Sequence, residues 1–157
     1  MDLSEFKKRY SALEKKYKLP SFRKLCEDFD IEKVAEKESD YILREIRKLV
    51  VDKIVSYLRF FELLLNPANA PLFFLMLIKG ISSSDRKLIE GIYFKLGSFE
   101  IQVIALDIEY SEKKEAEFLI KIYDEWQPVK DDMKKFSEVV ARNWNNKSER
   151  RDKGYFG

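Results

Sequence analysis

Seven apolar residues, Leu43, Ile46, Val50, Ile54, Tyr57, Phe61 and Leu64, follow one another at intervals of three or four. An α-helix collects such residues on one face, and a strand would scatter them. The spacing predicts a helix from about Ser39 or Asp40 to Leu65, roughly 39 Å long at about 1.5 Å per residue. Ile42, Leu49, Val51, Val55, Leu58, Phe60 and Leu63 widen the stripe until its C-terminal half is apolar nearly all round. That half is expected at the centre of a bundle. Arg44, Glu45, Arg47, Lys48 and Asp52 mark the N-terminal half as wetter.

The stretch after it, "ELLLNPANAPLFFLMLIKG", poses the question of a membrane span. Its apolar runs, Leu63 to Leu65 and Leu72 to Ile78, fall well short of the roughly 20 residues a bilayer core requires. Pro67 and Pro71 break the helix between them, and Asp52, Arg59 and Glu62 would need solvation upstream. A turn and a second helix from Asn69 to Lys79 are predicted instead, with Gly80 as its left-handed stop. Because "PLFFLMLI" is apolar on every side, this helix is expected to be surrounded by protein.

Elsewhere the same periodicity recurs. Leu3, Phe6, Tyr10, Leu13 and Tyr17 make a first helix that Asp2 or Ser4 can cap, and Ser21 opens a second through Phe22, Leu25, Cys26 and Phe29. Asp30 is expected to cap a short turn. Ser82 and Asp85 form a capping-box pair before Leu88, Ile89, Ile92, Tyr93 and Leu96, with Gly97 expected to end that helix. Residues 99–110 fit either a strand or a helix; helix is preferred because no partner strand is visible. Ala116, Leu119, Ile120, Tyr123 and Trp126 continue to Pro128, which is expected to interrupt the helix, and Phe136, Val139, Val140 and Trp144 give the last one. The reading is an all-α, single-domain bundle of six to seven helices over residues 1–146, with a long central helix and a basic, flexible tail at 147–157.

Chemistry is narrowed by what the chain lacks. It contains no histidine and one cysteine, Cys26, which removes Ser-His-Asp triads, Cys-His pairs, His-ligated zinc and internal disulfides. Cys26 reads as a small core residue. The acidic run from Asp28 has Lys33 where a calcium loop needs glycine and Ser39 where it needs glutamate. Neither Asp107 with Glu109 nor Glu115 with Glu117 shares a helix face, so both pairs read as surface charges. No enzyme activity, cofactor or metal is expected. With one cysteine a reducing cytoplasm is the expected setting, and the N-terminus shows no signal-peptide pattern. Abundant Lys and Glu with two glutamines match the surfaces of thermophile proteins.

Charge and aromatic content suggest partners. Residues 1–18 carry six Lys and Arg against three acids, residues 142–157 five against two, and the remainder 19 against 23. Aromatic residues form 14% of the chain, more than one narrow core is expected to hold. The favoured function is a non-enzymatic protein–protein interaction module that self-associates as a homodimer, with Trp126 and Trp144 at the contact. The alternative is a nucleic-acid-binding accessory protein that uses the basic N- and C-terminal segments, with Arg142, Lys147, Arg150, Arg151 and Lys153 on phosphates and Trp144 or Tyr155 stacking on bases. Arg59 and Glu62 are expected as buried polar residues, paired or functional.

Overall fold

Helix starts and stops are set by side chains that satisfy the end groups of each helix. The computed structural model describes residues 1–154, with side chains through Glu149. Asp2 accepts from the Glu5 N–H at 2.8 Å to open α1 (Leu3–Tyr17), and Ser21 accepts from the Lys24 N–H to open α2 (Phe22–Phe29). Asp30 closes α2 in a left-handed conformation and leads into a 3-10 helix, Ile31–Glu36, without the side-chain cap expected of it. Then come α3 (Ile42–Leu65), a 3-10 turn (Pro67–Asn69), α4 (Leu72–Ile78), α5 (Ser83–Ile108) and α6 (Glu112–Gly154). At the start of α5, Ser82 Oγ accepts from the Asp85 N–H and Asp85 accepts from the Ser82 N–H, the reciprocal pair expected from the sequence.

The fold is thus a single all-α domain with a long C-terminal helix. Its contacts group into two compact units, residues 1–56 with 98–127, and residues 57–97 with 128 onward. In the first unit the buried side chains include Phe6, Tyr10, Leu25, Ile46, Val50 and Ile54, together with Phe99, Leu119 and Trp126. Tyr10 donates its hydroxyl to the Pro20 carbonyl at 2.6 Å, which fixes the α1–α2 turn. In the second unit Phe61 meets Phe136 with ring centres 5.1 Å apart, Phe60 meets Phe74 at 5.3 Å, and Leu58, Ile89, Ile92, Leu96 and Val129 are buried.

Several boundaries differ from the expectation. Gly97 lies inside α5, whose inner face (Ile89, Ile92, Leu96, Phe99, Val103, Leu106) keeps a three-four spacing straight through it. Burial of six apolar residues outweighs a glycine penalty of about 1 kcal/mol. Residues 99–108 are accordingly helix. Pro128 lies within α6 on an exposed position, and the helix continues through residues 147–154, where an irregular tail is expected. Tyr155 lies outside the described residues.

The α4 helix departs most. It is not enclosed: Leu72 is 70% exposed, Phe73 and Leu75 are exposed too, and Leu77 alone is buried. Two helical turns between loops bury one side only. Its end is closed by side chains of α6 instead of a left-handed glycine, with Asn143 donating to the Gly80 carbonyl and Lys147 to the Met76 carbonyl, both at 2.6 Å. Gly80 serves close approach: a Cβ there would stand 3.2 Å from Asn143 Cβ and Nδ2.

Candidate functional site

In the first unit an ion cluster joins α3 to the α5–α6 turn. Arg47 donates from Nε to Glu115 Oε2 at 2.6 Å and from Nη2 to Asp107 Oδ1 at 2.8 Å. Arg47 is 2% exposed and Glu115 fully buried, while Asp107 faces solvent. Burial works against the guanidinium charge, but the hydrogen bonds and fields of Glu115 and Asp107 outweigh it and raise the pKa. Tyr110 stacks edge-on against Tyr41 with ring centres 4.6 Å apart, and Arg44 lies over the Tyr110 ring. Beside them Glu112 accepts from Tyr17 Oη at 2.7 Å and Lys16 Nζ at 2.9 Å, and these bonds hold its carboxyl below the usual range. Arg47 is bonded to Glu115 and Asp107, and Glu112 to Lys16 and Tyr17, so the cluster's chemistry is that of a clamp on the turn.

That clamp fixes the end of α5, whose outer face carries a second stripe. Ile101, Ile104 and Ile108 are 69%, 61% and 82% exposed. Spacings of three and four put them on one side of the helix, turned from the buried Phe99, Val103 and Leu106. Glu100 and Asp107 flank this ridge on one side. On the other, Ala105 borders a shallow depression of about 330 Å³ lined by Gln102, Leu106, Lys114, Phe118 and Lys121.

The second unit presents a different apolar surface. Leu72, Phe73 and Leu75 of α4 are exposed, and Trp144 of α6, also exposed, packs on Phe73 with ring centres 5.6 Å apart. Exposed Lys79 and Arg142 belong to the same two elements and their ends.

Residues singled out in the sequence are dispersed. Trp126 is 3% exposed and packs against Phe29, so it belongs to the core and offers no surface to a partner. Trp144 is exposed, as an interface requires. Arg59 and Glu62 are exposed, not buried: they continue a polar face, Asp52, Ser56, Arg59, Glu62, Asn66, that steps by three and four along α3. Of the basic residues proposed for phosphates, Arg142 is exposed, while Lys147 is half-buried and engaged with the Met76 carbonyl. Arg150, Arg151 and Lys153 lie on the last turns of α6, and their side chains are outside the described residues. The pair missed from sequence is Arg47 with Glu115, whose burial contradicts a surface role for Glu115. A signal existed, since both charges occupy apolar registers (Leu43, Arg47, Val50, Ile54 and Glu115, Leu119, Ile122, Trp126).

Cys26 is half-buried, not fully enclosed, and burial with a hydrogen bond to the Glu32 carboxylate pushes its thiol up to about 12. A raised thiol pKa favours the neutral form, so its stabilising effect is complete below the unfolded value and lost as pH rises toward the folded one. Native protein at pH 8 is expected to react with a disulfide reagent about tenfold or more slowly than urea-unfolded protein. Equal rates would show that the thiol is not protected.

Compared with known protein families, with curated proteins and with solved structures, the chain matches none. Among the described residues no helix is long and apolar enough to cross a membrane.

Proposed function

We propose that the protein is a non-enzymatic helical interaction module that self-associates. The observation that carries this reading is the ridge of Ile101, Ile104 and Ile108, three aliphatic side chains left 61–82% exposed in one row. Single exposed apolar residues are ordinary, but an aligned row on a helix held in place by a buried ion pair is a surface that association would cover. The contact is therefore reassigned from Trp126 to α5. Light scattering at micromolar concentration is expected to give about twice the chain mass of 18.7 kDa. Ile104→Asp is expected to return it to the single-chain mass. A wild-type protein that scatters as one chain refutes self-association.

A further inference from the structure

We infer that the α5 ridge of one copy is covered by the α4 face of a second copy. The inference rests on the self-association proposed above and names the surface that meets the ridge.

Charge selects this pairing among the possible ones. The first unit holds 17 Lys and Arg against 20 Asp and Glu, a net of −3; the second, over residues 57–97 and 128–149, holds 10 against 7, a net of +3. At the ridge itself the exposed acids are Glu100 and Asp107, the latter sharing its charge with Arg47. Ridge on ridge would bring two negatively charged surfaces together, with Glu100 and Asp107 at the edge of each. The α4 face on itself would bring two positive ones together. Ridge on α4 sets opposite charges around an apolar centre, which speeds encounter and disfavours the other two pairings.

Shape and composition agree with the charges. Trp144 is of a residue type that commonly carries binding energy at protein contacts, and Leu72, Phe73 and Leu75 add exposed apolar area beside it. The ridge offers aliphatic rows with a depression beside Ala105 that is apolar at Leu106 and Phe118 and large enough for the Phe73 ring. Lys114 and Lys121 border the depression, with Glu117 between them in sequence, so its rim is mixed in charge and the acids Glu100 and Asp107 supply the negative flank. Each copy carries both surfaces, so a two-fold pair makes the contact twice and closes at two chains, in keeping with the doubled mass expected above.

Two full-length variants test it. Ile104→Asp removes the ridge and Phe73→Asp removes the α4 face; each changes an exposed residue, and circular dichroism confirms that helix content is retained. Each variant alone is expected to associate about 30-fold or more weakly than wild type, the loss typical of a central anchor. An equimolar mixture is expected to recover a species of two chains and no larger, because the intact α4 face of one variant meets the intact ridge of the other. Raising salt from about 50 mM to about 500 mM should weaken wild-type association about tenfold. If Phe73→Asp associates like wild type and the mixture shows no recovery, the ridge pairs with something other than α4: this inference fails and self-association stands. A wild type that never associates overturns both, and association indifferent to salt overturns the charge pairing.

Discussion

Replacing Arg47 by methionine is expected to cost about 3–5 kcal/mol of stability, the usual penalty for removing one partner of a buried ion pair. The loss comes from what remains. Glu115 is fully buried, its Oε2 loses a 2.6 Å bond to Arg47, and its Oε1 already has no hydrogen-bond partner. A carboxylate stranded in low dielectric must bear its desolvation cost or take up a proton. Asp107 contributes little to the penalty because water reaches it, and Asp107→Asn should cost about 1 kcal/mol or less. The double variant Arg47→Met with Glu115→Leu is expected to recover most of the loss, since apolar side chains of similar volume commonly replace a buried ion pair without net cost. Urea unfolding measures this as a lower midpoint at an unchanged slope for the single variant and a midpoint near wild type for the double. A single variant within about 1 kcal/mol of wild type would mean that Glu115 is solvated.

The same pair shows how much of the fold can be read from the chain and where reading stops. Periodicity alone locates α3, while α1, α2 and the start of α5 also have local caps: Asp2, Ser21 and the Ser82–Asp85 pair each bond within three residues. It fails where a distant contact overrides a local preference. Gly97 and Pro128 are helix breakers by propensity, yet α5 and α6 pass through them, since each helix buries apolar residues on both sides of its break. Arg47 and Glu115 appear polar by residue type, and only their registers, in line with leucine and isoleucine, disclose that they are inside. The ridge is half-visible: Ile101, Ile104 and Ile108 follow one another at three and four in the sequence, but spacing does not say which of the two stripes on α5 faces inward. The neighbours decide that, and they come from parts of the chain remote in sequence. Arg59 and Glu62 fail in the opposite direction, because adjacent apolar residues suggest burial while their own row, from Asp52 to Asn66, is polar throughout.

For Trp126 the structure reverses the expected phenotype. If the indole lay at a contact between copies, Trp126→Ala would halve the mass and leave the fold intact. It is instead 3% exposed against Phe29, in a region where Gln127 also donates to Asp28 at 2.9 Å, so truncation opens a cavity in the first unit. A buried aromatic cut to alanine costs about 3–5 kcal/mol, a large share of a total of about 5–15 kcal/mol. Trp126→Ala is therefore expected to lower the urea midpoint strongly while the folded fraction keeps the wild-type mass. Ile104→Asp should do the reverse, changing the mass while stability, compared at a protein concentration where the wild type is dissociated, stays within about 0.5 kcal/mol, as exposed substitutions do. The two variants measured side by side separate core from contact. A Trp126→Ala protein of wild-type stability and halved mass would return the tryptophan to the interface and remove the ridge from it.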